Sequence, residues 1–171
     1  MRSRPPTPGV EALEPGPGQE SVWDFPRPPR VEPSGEHVVV RFAGIVVAET
    51  SDAVRVLETS HPPVYYLPRA AFAPGTLVEA SGSSVCEFKG TSRYLDVRVG
   101  DAVAPRAGWY YPDPWPGYAA LLDRVAVYPR AMDSCEVDGQ RVVAQAGGFY
   151  GGWITSRVVG PVKGGAGTSG W

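Results

Sequence analysis

The chain has 171 residues, of which 43% are hydrophobic and 20% charged, and its formal net charge is -2. This is the composition of a globular domain with a real core, and it supplies no global positive field for nucleic acid or an anionic membrane. Gly 21 and Pro 19 are in excess, which favours many turns and short elements over long helices.

No apolar run is long enough to span a bilayer. Arg2 and Arg4 lead into Pro5 and Pro6 rather than into an apolar segment, so neither a signal peptide nor an anchor is expected. With only Cys86 and Cys135, and nothing that suggests export, no disulfide is expected and a cytoplasmic location is. Two thiols without a C-x-x-C pair and two histidines, His37 and His61, are too few for the common zinc sites. The expectation is no metal and no cofactor.

Residues 1–20 are rich in proline and glycine, lack apolar periodicity and read as a disordered leader. Residues 21–35 form an extended, proline-punctuated arm. Its Trp23 and Phe25 predict packing across the domain or onto a partner subunit.

The β-rich domain is expected over 36–145. HVVVRF and IVVAET flank Ala43-Gly44 and read as a hairpin. Thr50 or Ser51 then caps a predicted short helix, SDAVRVLE, which His61-Pro62-Pro63 stops. Short strands follow at Val64–Leu67, Thr76–Ala80, Val85–Phe88 and Arg93–Val99. In the last of these, Leu95, Val97 and Val99 share one face, and Tyr94, Asp96 and Arg98 the other.

Trp109–Tyr111 reads as extended, Tyr118–Leu122 as one or two helical turns, and Val125–Tyr128 as a strand. Asp138-Gly139 is a hairpin turn joining Cys135–Val137 to Arg141–Ala144. Residues 146–171 form a glycine-rich tail packed on the domain. It looks too glycine-rich for a core element, yet Phe149, Tyr150 and Trp153 need a surface. The sum is an all-β, mainly antiparallel fold, a small barrel, sandwich or tent-like pair of sheets with one or two short helices.

The chemistry-bearing residues concentrate at Cys86-Glu87-Phe88-Lys89-Gly90, at Tyr94 and at Trp109-Tyr110-Tyr111. Polar groups beside aromatics make a pocket more often than a core. Cys86 is either a small core residue or a nucleophile beside Lys89 or His61. Glu87 and Lys89, two apart on a strand, are either a solvated ion pair or a cleft-facing pair. His61, held between a predicted helix end and two prolines, suits acid/base work or a helix-terminal charge.

No Walker loop, G-x-S-x-G elbow or H-E-x-x-H occurs, and no G-x-G-x-x-G follows a strand. Gly82-Ser83 followed by Asp96 is the start of a metal-dependent nucleotidyl-transfer arrangement. Arg98 then puts a cation where a second carboxylate should stand, so that chemistry is not expected.

Three stretches carry a family resemblance: VVVRFAGIVVAETSDAVRVLETSHPPVYYLP, SSVCEFKGTSRYLDV and AGWYYPDPWPGYAALLDRVAVYP. The chain resembles the DUF427 family, which also bears a nucleotidyltransferase label. Its ending, FYGGWITSRVVGPVKGGAGTSGW, looks like that of longer bacterial members. The resemblance covers roughly Val31 to Trp171. It implies a mainly β protein with a pocket around the Cys-x-x-Lys-Gly and Trp-x-Tyr stretches.

The leading expectation is a small-molecule pocket, with a metal-independent enzyme as its catalytic form. Glu58, His61, Cys86 and Glu87 are the candidate catalytic groups. Arg41 and Lys89 would hold an anionic group, and Tyr66, Tyr94, Trp109 and Tyr111 would line the wall. A non-catalytic binding module and an assembly protein that dimerises through the aromatic arm are the alternatives. No nucleic-acid or membrane partner is expected.

Overall fold

The computed structural model describes residues 7–171, and short antiparallel strands dominate it. In chain order these are β1 (Glu20–Ser21), β2 (Arg30–Ser34), β3 (Val38–Phe42), β4 (Ile45–Thr50), β5 (Ala53–Leu57), β6 (Val64–Pro68), β7 (Leu77–Cys86) and β8 (Gly90–Val99). They continue with β9 (Ala102–Tyr110), β10 (Arg124–Val127), β11 (Ser134–Val137), β12 (Gln140–Arg141), β13 (Val143–Ala144), β14 (Trp153–Ile154) and β15 (Val158–Val159). The helical elements are single 3-10 turns such as Ala119–Leu121. Among the described residues no helix is long and apolar enough to cross a membrane.

A seven-stranded antiparallel sheet has the order β2-β5-β6-β10-β9-β8-β7. A four-stranded sheet has the order β12-β11-β3-β4. The large sheet stays open, with β2 and β7 as its edges, so the barrel alternative gives way to two packed sheets. Pro33 is tolerated in β2 because an edge strand has one row of unpaired N–H groups. Both predicted tight turns form. Ala43-Gly44 and Asp138-Gly139 have φ of 50° and 79°, and 49° and 80°, the paired left-handed conformation of a two-residue hairpin.

The predicted helix over SDAVRVLE is corrected to a strand. β5 pairs with β2 on one side and β6 on the other, and all five of its residues are buried. A central strand covered on both faces reads as a continuous apolar run, which periodicity alone cannot separate from a buried helix. The Thr50 hydroxyl accepts the Asp52 N–H at 3.0 Å in a local turn rather than capping a helix.

Alternation gives the large sheet two different faces. Tyr65, Leu67, Leu95, Val97, Val125 and Val127 face the small sheet, where they meet Val38, Val40 and Val47 in the main core. Val54, Val56, Tyr66, Trp109 and Ala126 face the other way and form a second cluster with Tyr111, Tyr118 and Leu121.

The C-terminal segment supplies core after all. Trp153 is fully buried, stacks on Tyr65 at 4.9 Å between centroids, and donates its indole N–H to the Val127 carbonyl. Its strand β14 pairs with β13, so the second arm of the 138–139 hairpin is split into β12 and β13.

The aromatic arm packs on its own chain. Trp23 and Phe25 are buried, and Trp23 meets Trp171 at 5.5 Å and donates to the Pro161 carbonyl at 2.9 Å. In the leader, Ala12 is buried in the same cluster and the Leu13 N–H donates to the Gly160 carbonyl. Residues 1–6 of the leader lie outside the described residues.

Candidate functional site

The outer face of the large sheet holds a cavity of about 290 Å³. Four stretches build it. β6 and the segment before it give Glu58, His61 and Tyr66; the β7–β8 hairpin gives Ser84, Cys86, Lys89 and Tyr94; β9 and its extension give Trp109 and Tyr111. The C-terminal segment closes the fourth side with Gln145, Tyr150, Gly151 and Lys163. Period-2 alternation explains the selection: Tyr65 faces the core and Tyr66 the cavity, Tyr110 packs toward the core while Trp109 and Tyr111 face the cavity.

Eight of the predicted site residues line this one hollow: Glu58, His61, Cys86, Lys89, Tyr66, Tyr94, Trp109 and Tyr111. Two lie elsewhere. Arg41 sits on β3 of the small sheet, its Nε 3.6 Å from a Glu136 carboxylate oxygen. Glu87 is exposed in the turn between β7 and β8 and does not line the cavity. β7 ends at Cys86, so Glu87 and Lys89 belong to a turn rather than one strand face, and only Lys89 folds inward.

At one end Glu58 and His61 form a hydrogen-bonded pair, Oε2 to Nε2, at 3.0 Å. The Gln145 amide meets the other ring nitrogen, Nδ1, at 3.3 Å. Gln145 is oriented by its neighbours: its Oε1 accepts the Gly152 N–H and its Nε2 donates to the Lys163 carbonyl. Nδ1 therefore accepts from Gln145, and Nε2–H donates to Glu58. Arg27 adds a guanidinium 3.4 Å from the same Glu58 oxygen and donates to the Thr59 carbonyl. Burial works to raise the Glu58 carboxyl, but the His61 hydrogen bond and the nearby charges of Arg27 and Lys89 hold it below the ordinary carboxylate range.

At the other end Lys89 lies 5.9 Å from the centre of the Tyr111 ring, and Cys86 lines the same cavity. Burial would lower its ammonium, yet Tyr66, Cys86 and Glu58 together keep it above its usual value, so it is charged. Between the two ends, the Tyr66 hydroxyl accepts the Trp109 indole N–H at 3.2 Å. Burial pushes the Tyr66 and Tyr111 phenols up, so both stay neutral. Trp109 packs on Tyr128 with the two rings tilted, 4.6 Å between centroids. The Tyr94 hydroxyl donates to Ser84 Oγ at 3.3 Å, and Ser84 and Ser92 share a hydrogen bond of 2.8 Å.

Chemically the arrangement offers a fixed cation, an ionised carboxylate, neutral phenols and a flat aromatic wall. Among the lining residues that the sequence did not single out are Gln145, Gly151, Lys163, Ser84, Ser92 and Tyr128. Their signal was Phe-Tyr-Gly-Gly-Trp, a pair of glycines set among rings, which marks a close backbone approach. No curated protein matches the chain. The model of the family described as a domain of unknown function, DUF427, matches residues 30–138, more than half of the chain, and the protein belongs to that family.

Proposed function

We propose that this chain binds a small anionic organic molecule in the cavity and moves a proton on it. One observation carries the reading. Lys89 turns a charged ammonium into a largely apolar hollow, and among the described residues no carboxylate lies within ion-pair distance of it. A charge drawn out of water calls for a partner, and an anionic or developing-anion oxygen of a ligand would supply it. Because the amine is held protonated, Lys89 serves as a charge holder rather than as a nucleophile.

Glu58 is the proton acceptor in this scheme. It is ionised, and His61 and Arg27 fix its position. Lys89 and the neutral phenols would stabilise the oxygen that gains charge, the role a metal ion plays elsewhere. Cys86 forms the floor beside Lys89. Two cysteines that stay unpaired suit a reducing compartment, and we place the activity in the cytoplasm.

A second reading, binding without turnover, is favoured by His61. Both of its ring nitrogens are engaged, by Glu58 and by Gln145, so the imidazole is not free to carry a proton to a ligand.

A thermal-shift screen of small carboxylates and phosphates tests the shared premise, because a ligand bound only by the native state raises its melting temperature. Hits are expected with the wild-type chain and are expected to disappear in Lys89→Met. Hits that survive that substitution undiminished would end the reading. Incubation of a hit followed by NMR then separates the two forms: a product lost in Glu58→Gln marks turnover, and saturable binding with no product marks a binding module.

A further inference from the structure

We propose that a second groove, adjoining the cavity, holds the anionic tail of the same ligand: a phosphate or carboxylate carried on a flat organic body. The inference rests on the cavity reading above and adds a ligand class to it. The groove has a volume of about 340 Å³ and shares Tyr94, Tyr128 and Phe149 with the cavity. Its far side is lined by Arg106 and Arg130.

Both guanidiniums are held in place by groups other than carboxylates. Arg106 lies over the Tyr94 ring, 4.3 Å from its centroid. Gly82 leaves room for it, since a Cβ there would come 2.8 Å from Arg106 Nη2. Its backbone has φ 50°, in the left-handed region that costs a non-glycine residue, and Asp96 Oδ1 pins its N–H at 2.8 Å. This strained position falls where the β8–β9 register shifts, between Leu95 and Val97. The bulge carries the Arg106 side chain to the rim.

Arg130 lies 5.6 Å from the centre of the Tyr128 ring and donates to the carbonyls of Gly147 and Gly148, at 3.0 and 2.6 Å. Among the described residues neither arginine forms an ion pair with a carboxylate. Two like charges are thus fixed on one groove, each resting on a ring that also walls the cavity. Their planar forks suit the oxygens of a phosphate or carboxylate. A ligand with its flat body between Trp109 and Tyr94 would set its tail there and its reacting end toward Lys89 and Glu58.

Calorimetric titration of the full chain with inorganic phosphate, phenyl phosphate and benzoate tests the inference. At least one aryl anion is expected to bind about tenfold or more tighter than inorganic phosphate. The better of the two identifies the tail. Arg106→Gln and Arg130→Gln are each expected to weaken it by about tenfold, with circular dichroism unchanged. Loss in the arginine variants but not in Lys89→Met supports the groove and removes the cavity reading. Loss in Lys89→Met but not in the arginine variants overturns the groove and leaves the cavity reading standing. Loss in all three supports both. Insensitivity to all three, or no binding of either aryl anion, overturns the groove.

Discussion

Gly151 lies against Trp109 so closely that a Cβ on it would overlap the indole Cη2 and sit 3.0 Å from Cζ3. Its neighbour Gly152 is equally confined, with a Cβ placed 2.5 Å from both Gln145 Oε1 and Pro62 Cγ. These glycines bring the C-terminal backbone down onto the sheet face; their use is close approach, not flexibility. Both are buried, and Gly151 lines the cavity.

Gly151→Ala is therefore expected to lower stability by about 1–3 kcal/mol, the cost of overpacking a filled site. It should also weaken ligand binding, because the indole must shift. Urea unfolding checks the first effect. Gly165→Ala is the control: nothing lies within 4 Å of its Cβ position, and it should change stability little. Equal effects from the two substitutions would remove the close-approach account.

Glu58 links the site to pH. Its folded-state carboxyl is held below the ordinary value despite burial, chiefly by His61 and then by Arg27 and Lys89. A carboxyl depressed on folding contributes stability that is fully present above its unfolded value, about 4.3, and is lost as pH falls through the folded value. The wild-type chain should thus lose stability below about pH 4.3. Glu20 is depressed in the same direction, so part of that slope belongs to it. Glu58→Gln should flatten the slope in this acid window and cost on the order of 1 kcal/mol at neutral pH. Denaturant midpoints of both chains from pH 3 to 7 decide the matter; parallel curves would show that the pair with His61 has no energetic weight.

The legible and illegible parts of the molecule divide on range. Two-residue turns are local, and Ala43-Gly44 and Asp138-Gly139 stand where the dipeptides predict them. So does the Leu95/Val97 face of β8. The site residues came from composition, since a thiol, an ammonium, phenols and an indole within one hairpin's reach have few uses in a core. What failed depended on distant pairing. β5 has no local mark of being a central strand, because what buries it is β2 and β6 on either side. Glu87 pointed outward because β7 ended one residue earlier, and a strand end shifts every later side chain. Arg41 belongs to the other sheet, an assignment no spacing encodes. The tail's place over Trp109 depends on steric fit, visible only in the glycine pair.

Arg55 tests how much the buried charge network matters. Its side chain is 1% exposed in the middle of β5, yet it spans to Glu20 of β1 at 2.9 and 3.1 Å and to Glu32 of β2. Arg157 extends the network, meeting Glu20 at 3.3 Å and Glu36 at 2.9 Å, and Tyr65 donates to Glu36 at 2.9 Å. Burial alone would lower the Arg55 guanidinium, but its carboxylate partners raise it, so the charge is permanent. Arg55→Met leaves Glu20 and Glu32 without their shared cation and should cost about 3–5 kcal/mol, a large part of the stability of a domain this size. A double substitution that also makes Glu32→Gln should recover part of that loss. Urea unfolding of four chains, the wild type, each single variant and the double variant, measures it, and additive losses would show that the two residues act independently.

Cys135 lies on β11 of the small sheet, in the core between the sheets, and Cys86 ends β7 on the cavity side of the large sheet, so their chemistry should differ. Cys135 is 1% exposed in the main core, where burial and then the Glu136 charge push its thiol up to about 12. Cys86 is only partly buried and lines the cavity beside Lys89. A thiol-specific reagent should modify one site in the native chain, and Cys86→Ala should abolish that reaction while unfolding exposes the second thiol. A ligand found by the thermal-shift screen should slow the modification, because it would occupy the space the reagent enters. Native labelling at Cys135, or at neither thiol, would mean that the hollow beside Lys89 does not admit a molecule of reagent size. The cavity reading would then lose its entrance.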